Sequence, residues 1–311
     1  MPLDPSVKAI LDALAANPQP KMWQLPVAQG REAYEGIRLL NGNQSVPIGR
    51  VEPIEAQGPA GPIRMRGYYP VAGGGARPVI LFFHGGGFTI GSLETHDDCC
   101  RRLADESGCP VISVDYRLAP EHKFPAALED AMAALRHVQA NASALSVDPN
   151  AIAVAGVSAG ANLSAVLAQL VRDGGGPRIC LQLLMCPFLD ATARTGSLDE
   201  FAEGYFLERR TMEWFLEQYL PDGQAPEDPR ISPAKAASLA GLPPAIILTA
   251  ECDPLRDDGK AYADLLSAAG VDVTYICAPG MIHDYMTMAG AIPRAREDLA
   301  TVGRMIAERL G

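Results

Sequence analysis

The sequence at residues 156–160 is GVSAG, and this stretch decides the fold class. It directly follows an apolar, β-branched run at Ala151–Ala155 and directly precedes a segment with helical spacing. A strand, a sharp turn and a helix form the setting of a nucleophile elbow, in which a serine hydroxyl stands above a parallel sheet. Glycines two positions before and after the serine are expected because the strained turn leaves no room for side chains there. The motif predicts a nucleophilic Ser158, and an ordinary strand-to-helix turn is the alternative.

Strand-like runs and helical segments alternate on both sides of this motif, which predicts an α/β fold with a mostly parallel sheet flanked by helices. The other predicted strands of this series are Val79–Phe83, Val111–Val114, Leu181–Met185, Ala245–Thr249 and Val271–Cys277. The predicted helices are His96–Glu106, Pro125–Gln139, Ala159–Asp173, Leu255–Ala269 and Pro293–Arg309. Two earlier runs, Arg50–Ala56 and Ile63–Tyr69, are expected to pair in antiparallel fashion at the sheet edge.

Two stretches interrupt this alternation, residues 1–45 and residues 190–230. We predict that they form the N-terminal part and the inserted part of one helical cap. The catalytic core is then expected in two pieces, 46–189 and 231–311. The insertion contains ten acidic residues and four arginines; a solvated outer face is the favoured reading, and recognition of a cationic substrate is the alternative.

A second glycine motif, HGGGF at residues 84–88, follows the apolar run Val79–Phe83. Consecutive glycines at the end of a buried strand let backbone N–H groups approach a reacting carbonyl and stabilise an oxyanion. The predicted donors are the N–H groups of Gly86 and Gly87, with Gly85 as a further candidate. The N–H of Ala159, next to the nucleophile, is expected to join them.

A serine nucleophile needs a histidine base and a carboxylate that orients the base. In this fold the acid and the base follow the serine in that order along the chain. His283 is the only histidine after Ser158, so it is the predicted base. The four carboxylates after the preceding strand are Glu251, Asp253, Asp257 and Asp258. Asp253 is preferred because the following proline holds its backbone extended, and Glu251 comes next.

These motifs together resemble the bacterial hormone-sensitive-lipase-like carboxylesterases, an α/β-hydrolase family. The matching segments are HGGG at 84–87, DYRLAPE at 115–121, GVSAG at 156–160 and DPLRD at 253–257. The resemblance implies an eight-stranded sheet with a helical cap and supports Asp253 as the acid. It also implies hydrolysis of short to medium acyl esters through an acyl-enzyme intermediate, without a cofactor. Relatives often dimerise through the sheet edge, so a homodimer is an alternative to a monomer.

Two positions depart from the family pattern. Val157 stands where an aspartate usually precedes the nucleophile, and Asp284-Tyr285 stands where Gly-Phe usually follows the base. Neither change removes a predicted triad member. The second one places a carboxylate beside the base and is expected to alter the pocket wall. The candidate substrate contacts are Phe88, Tyr205 and Ile282, although residues of this kind more often belong to the core than to a pocket.

Composition and charge exclude several other classes. The chain has 26 basic and 37 acidic residues and a net charge of −11, which disfavours binding to nucleic acid or to anionic membranes. No segment approaches the length and apolarity of a membrane span, and the first residues do not resemble a signal peptide, so a cytoplasmic protein is expected. The seven cysteines lack C-x-x-C spacing, which predicts reduced thiols and no metal site.

Two functional alternatives remain open. The same triad acting on an amide or a lactone cannot be separated from an esterase by sequence. A ligand-binding protein on this fold, similar to the plant gibberellin receptors, is the alternative from another class. Such receptors have lost the catalytic histidine, and the presence of His283 disfavours this reading.

Overall fold

The computed structural model describes residues 2–41, 46–71 and 75–311, and the chain folds around a single eight-stranded sheet. The strands are β1 Arg50–Gly58, β2 Gly61–Tyr69, β3 Arg77–Phe83, β4 Val111–Val114, β5 Val147–Val157, β6 Ile179–Met185, β7 Ala245–Cys252 and β8 Val273–Ile282. Their order is β1-β2-β4-β3-β5-β6-β7-β8. β1 pairs with β2 and β2 with β4 in antiparallel fashion, and all other pairs are parallel. The predicted mostly parallel sheet with an antiparallel pair at one edge is therefore confirmed.

Ten α-helices lie in the described part of the chain. They are α1 Pro5–Ala16, α2 Val27–Glu35, α3 Asp97–Ser107, α4 Ala126–Ala140, α5 Ala142–Leu145, α6 Ala159–Gly174, α7 Gly196–Glu200, α8 Arg209–Tyr219, α9 Arg256–Ala268 and α10 Pro293–Leu310. All five helices predicted in the core occur, with ends within one residue of those expected. The predicted end of the N-terminal segment, at residues 42–45, lies outside the described residues.

The sheet separates two apolar cores, because successive side chains of a strand point to opposite faces. On β3, Val79 and Leu81 belong to a core shared with α4, α6 and α9. Ile80 and Phe82 belong to the opposite core, which α3 and α10 cover. Burial on both faces explains why the central strands read as continuous apolar runs in the sequence.

The last strand is longer than the sequence suggested. The predicted strand ended at Cys277, but β8 continues to Ile282 beyond a register shift opposite β7. Past this shift Cys252 of β7 pairs with Ile282 of β8. Asp253 follows β7 directly and His283 follows β8 directly. The two residues are therefore neighbours at the carboxyl end of the sheet. Pro279 and Gly280, which favour a turn in the sequence, are accommodated within this irregular edge strand.

The insertion at 190–230 is anchored to the core by the first turn of α9. Asp258 accepts hydrogen bonds from the N–H groups of Leu189 and Asp190, at 2.7 and 3.3 Å. Asp257 accepts one from the N–H of Ser197, at 2.8 Å. These two acids of the first turn of α9 therefore connect the insertion to the helix that follows Asp253.

Burial raises the pKa of Asp258 to about 7, against the hydrogen bonds that lower it. Between about pH 4 and pH 7 the native state therefore binds a proton that the unfolded chain has released, and stability falls as the pH rises. We expect Asp258→Asn to flatten this decline by up to about 1.4 kcal/mol per pH unit. Urea denaturation at pH 5, 6 and 7 measures the free energy of unfolding of both proteins and thus the size of this decline. Asp264→Asn on the exposed side of α9 is the control, and parallel curves for wild type and Asp258→Asn would refute the assignment.

Two further expectations concern the whole chain. The seven cysteines are free, as predicted, with Cys180 and Cys277 half-buried and the others buried. Among the helices of the described segments, none combines the length and the apolarity required to cross a bilayer.

Candidate active site

Ser158 occupies a strained turn between β5 and α6. Its backbone has φ 54° and ψ −114°, outside the regions that L residues favour, and its N–H donates to the carbonyl of Met185 at 2.9 Å. The flanking glycines are required by contact. A Cβ on Gly160 would overlap the carbonyl oxygen of Phe83, and one on Gly156 would overlap the backbone of Gly160. The predicted steric reason for both glycines is confirmed.

The structure brings His283 and Asp253 together at the ends of β8 and β7. Nδ1 of His283 lies 2.8 Å from Oδ2 of Asp253, and Oδ1 of Asp253 accepts the N–H of Leu255 at 2.9 Å. Glu251, the next candidate after Asp253, accepts the N–H of Gly280 at 2.7 Å. Of the carboxylates left open by the sequence, Asp253 is the one hydrogen-bonded to the imidazole.

The electrostatic setting suits a base. Burial lowers the pKa of His283, but the charge and hydrogen bond of Asp253 and the charge of Asp284 together outweigh burial and leave the pKa above its ordinary value. His84 and His96 are buried, and burial lowers the pKa of each, so they remain neutral. A proton accepted during a reaction is therefore stabilised at His283 rather than at either neighbour.

The glycine loop at 84–88 lies beside Ser158, but its three glycines are not equivalent. The N–H of Gly85 donates to Nε2 of His96 at 3.0 Å. This N–H is committed to a buried side chain, and the prediction that Gly85 is an oxyanion donor is wrong. Gly86 and Gly87 have φ values of 113° and 56°, which favour glycine, and both line the cavity with Ala159.

The loop is held from behind by aromatic packing. The ring of His84 stacks on Tyr116 with centroids 4.2 Å apart, and the Tyr116 hydroxyl donates to the carbonyl of His84 at 2.8 Å. On the cavity side, Phe215 of α8 packs so closely on Gly87 that a Cβ there would overlap its ring. The inserted segment therefore contacts the oxyanion loop directly.

A cavity of about 1160 Å³ opens above Ser158 and His283. Its walls are mostly apolar and come from the core, the N-terminal segment and the insertion. Among the lining residues are Ile10, Leu14, Met22, Tyr34, Phe88, Phe188, Phe206, Leu207, Met212, Phe215 and Leu216. A large apolar cavity with a few polar groups at one point is typical of a small-molecule site.

Of the three predicted substrate contacts, only Phe88 lines this cavity, and it stacks on Tyr219 with centroids 3.9 Å apart. Tyr205 instead packs edge-on against Phe201, with centroids 4.9 Å apart. Ile282 is fully buried in the core as the last residue of β8. The predictions for Tyr205 and Ile282 are wrong, because neighbours in sequence point to opposite sides of a strand or a turn.

The N-terminal segment and the insertion meet over the cavity. Lys21 pairs with Glu208 at 2.5 Å, and the Arg210 guanidinium lies over the Trp23 ring, 5.8 Å from its centroid. The acidic residues on the other side of the insertion are exposed, among them Glu213 and Glu217, which supports the solvated-face reading. Leu207 and Phe215 carry no local motif that marks a pocket wall, so sequence reasoning missed them.

Cys186 is a further neighbour that the sequence did not reveal. One potential ligand atom each from Cys186, Asp253 and His283 lie within 4.8 Å of one another. Burial raises the pKa of the Cys186 thiol well above its ordinary value, and metal ions bind the thiolate. His283 Nδ1 is already hydrogen-bonded to Asp253. This donor set fits an imidazole–carboxylate pair better than a metal centre.

Comparisons with known proteins agree with this geometry. A family described by the α/β-hydrolase fold matches residues 80–287. The carboxylic ester hydrolase LipN of Mycobacterium tuberculosis is 47% identical over 244 residues, which cover 76% of this chain and 65% of LipN. An ethyl acetate hydrolase of Pseudomonas putida is 42% identical over 238 residues. The matched region covers 76% of this chain and 74% of that protein.

Solved structures extend the similarity to the whole chain. The hyperthermophilic esterase of Pyrobaculum calidifontis superposes with a TM-score of 0.94 at 42% identity, covering 99% of both chains. The fold class and the family resemblance inferred from the motifs are thereby confirmed. The chain belongs to the α/β-hydrolase family, within its hormone-sensitive-lipase-like carboxylesterase branch.

Proposed function

We propose that this protein is a serine carboxylester hydrolase in which Ser158, His283 and Asp253 form the catalytic triad. One observation carries the proposal: His283 is hydrogen-bonded to Asp253 at 2.8 Å and shares a cavity with the strained Ser158 and with Gly86 and Gly87. Relatives named as ester hydrolases support the reaction class.

In the acylation step, the Ser158 hydroxyl oxygen attacks the ester carbonyl carbon while His283 accepts the hydroxyl proton. The N–H groups of Gly86, Gly87 and Ala159 stabilise the oxyanion of the tetrahedral intermediate. As the intermediate collapses, the bond to the alkoxide breaks and His283 gives its proton to the departing oxygen. Asp253 holds the imidazole in the tautomer that this exchange needs. Water, activated by His283, then attacks the acyl-enzyme and releases the carboxylic acid.

The cavity and the family resemblance together indicate the substrate class. A mostly apolar volume of about 1160 Å³ accommodates small-molecule esters with apolar acyl and alcohol groups, and the limit to short and medium acyl chains is what the family resemblance implies. We infer that residues 1–45 and 190–230 act as a cap, because side chains from both line the cavity wall opposite the triad. A cytoplasmic location and a homodimer remain predictions, which cell fractionation and sedimentation velocity test.

The test is hydrolysis of p-nitrophenyl acetate, butyrate, octanoate and palmitate by the purified protein with EDTA present and no added cofactor. We expect turnover of the shorter esters and a marked decline for palmitate. A fluorophosphonate probe should modify Ser158 in a one-to-one ratio, as peptide mass spectrometry would show. Absence of both turnover and labelling would contradict the proposal and favour a ligand-binding protein.

A matched panel of substrates shows which type of acyl bond the protein hydrolyses fastest. An ester, a lactone and an aryl amide with similar acyl groups are compared at equal concentration. We expect the ester to react fastest, because an alkoxide or phenoxide leaves more readily than an amine. Faster turnover of the amide would keep the triad and overturn the esterase assignment.

A further inference from the structure

Helix α2 of the N-terminal segment is joined to the core chiefly by polar side chains on one face. Arg31 donates from Nε to the carbonyl of Thr89 and from Nη2 to the carbonyl of Ala119, both at 2.9 Å. It also pairs with Glu121 through two hydrogen bonds, at 2.9 and 2.6 Å. The N–H of Ala119 in turn donates to the carbonyl of Phe88 at 2.8 Å. Arg31 thus fixes the backbone directly behind the oxyanion loop.

One turn further along α2, Tyr34 reaches the loop of the base. Its hydroxyl donates to Oδ2 of Asp284, the residue that follows His283. Asp284 is 3% exposed and has a positive φ of 63°. This conformation explains why glycine is common here in the family, and Asp tolerates it better than most residues. The aspartate therefore adds a side chain to the His283 loop that α2 can hold.

Within the described residues, the Asp284 carboxylate is hydrogen-bonded by the Tyr34 hydroxyl, and the Thr287 side chain is close enough to lower its pKa. Oδ1 of Asp284 has no hydrogen-bond partner there. The nearest basic group is Nε2 of His96 at 4.0 Å, and this nitrogen already accepts the N–H of Gly85. A neutral imidazole nitrogen that accepts a hydrogen bond cannot also donate to the carboxylate. The Tyr34 hydroxyl is thus the group that connects this side chain to the N-terminal segment.

A helix that served only to stabilise the fold would be expected to bury mainly apolar side chains. Within α2 only Gly30 is fully buried, and the half-buried ring of Tyr34 packs against the core that α3 and α10 cover. Beyond this packing, the contacts of α2 with the two loops are charge-assisted hydrogen bonds, whose strength depends on distance and direction. Contacts of this kind fix geometry more than they add stability, and they end on the two loops that carry the oxyanion donors and the base.

We propose that α2 is a positioning element for the reaction, with Arg31 holding the oxyanion loop and Tyr34, through Asp284, holding the loop of His283. This inference rests on the proposed function. The N-terminal segment then determines the turnover rate of a bound substrate in addition to the shape of its pocket. Arg31, Tyr34 and Asp284 are positioning residues that act through Gly86, Gly87 and His283.

The test compares Tyr34→Phe, Asp284→Asn and their double mutant, with p-nitrophenyl butyrate as the probe. Tyr34→Phe keeps the ring and removes only the hydroxyl, and we expect kcat to fall about tenfold with KM changed less than twofold, because a misplaced base slows chemistry. Asp284→Asn keeps an oxygen that accepts from Tyr34. That hydrogen bond is then neutral and no longer charge-assisted, so the double mutant should lose no more than the worse single mutant, because both changes act on the one Tyr34–Asp284 contact.

Arg31→Met should also lower kcat more than it raises KM. Glu32→Gln, which removes an exposed charge from the same helix, is the matched control and should leave kcat and KM unchanged. Circular dichroism and the melting temperature establish that each variant is folded. If Arg31→Met does not fold, the result for Tyr34→Phe decides the test.

A pH profile tests whether the Asp284 charge acts on His283. Burial raises the pKa of Asp284 to about 6, and its charge contributes to the raised pKa of His283. The titratable groups around it are Tyr34 on α2, His96 before α3, Cys99 on α3, Cys186 after β6, Asp253 after β7 and His283 itself. Asp284→Asn should therefore shift the acidic limb of kcat/KM to lower pH, since His283 then loses its proton more readily.

The outcomes are distinguishable from failure of the proposed function. If Ser158→Ala abolishes turnover but Tyr34→Phe and Arg31→Met change only KM, the esterase assignment stands and α2 is a pocket wall alone. The same conclusion follows if Asp284→Asn leaves the pH profile unchanged and the single mutants add independently. If Ser158→Ala retains the activity of the wild type, Ser158 is not the nucleophile. The proposed function is then refuted, and the inference about α2, which rests on it, is refuted as well.

Discussion

Replacing Ser158 by alanine is expected to lower kcat for p-nitrophenyl butyrate about 10⁶-fold, as removal of the nucleophile does in serine proteases. The reason is that the variant has no hydroxyl that His283 can activate, so the acyl-enzyme cannot form. Residual turnover should come only from the oxyanion donors and from substrate binding, about 10³-fold over the uncatalysed reaction. Stability should change little, because the lost hydroxyl belongs to a site that opens onto the cavity.

The measurement is initial-rate kinetics on protein prepared from a fresh expression host that lacks background esterases, with fluorophosphonate labelling as a second readout. Ser143→Ala, an exposed serine on α5, is the control and should behave as wild type. Turnover of Ser158→Ala within 100-fold of wild type would show that another group is the nucleophile.

The second large effect is expected for Gly160→Ala. A Cβ at this position would lie less than 3.0 Å from the carbonyl oxygens of Phe83 and His84, which are backbone atoms and cannot rotate away. Helix α6 must therefore shift away from β3 and carry Ser158 with it. We expect a loss of roughly 3 kcal/mol or more in the free energy of unfolding. A displacement of about 1 Å at the nucleophile should reduce kcat roughly 100-fold in the protein that still folds.

Gly174→Ala at the other end of α6 is the matched control. No heavy atom lies within 4 Å of the Cβ that this substitution would add. It should leave kcat unchanged and be neutral or stabilising by up to about 1 kcal/mol, because alanine restricts the unfolded chain. Urea denaturation of both variants compares them directly. Equal stability of Gly160→Ala and wild type would show that the elbow tolerates a wider turn than its contacts indicate.

Local sequence patterns were sufficient for the strands, the core helices and the elbow. A buried parallel strand needs a continuous apolar run, and a helix needs its own spacing, so both leave a signal within one segment. The elbow at Ser158 also leaves a local motif, because the glycines stand next to the serine, although Gly160 is required by the carbonyls of Phe83 and His84 on the neighbouring segment. The acid was less determined: the preference for Asp253 over Glu251 rested on one proline and on the family resemblance.

Contacts between distant segments left no such signal. The donor role of Gly85 failed because its N–H binds His96, a residue eleven positions away whose buried ring only the folded loop brings into reach. Tyr205 and Ile282 were misassigned because the direction of a side chain at a strand end or in a turn depends on local backbone geometry. The extension of β8 to Ile282 depends on a register shift against β7.

By itself, the sequence determined the class of the sheet, the position of a serine in a strained turn and a histidine as the sole candidate base, because each depends on residues adjacent along the chain. The tertiary structure alone decided that Asp253 meets His283, that Phe215 covers Gly87 and that α2 reaches both active-site loops. Those contacts join segments separated by tens to hundreds of residues. Their geometry depends on how the sheet twists and how the helices pack, which no short stretch of sequence encodes.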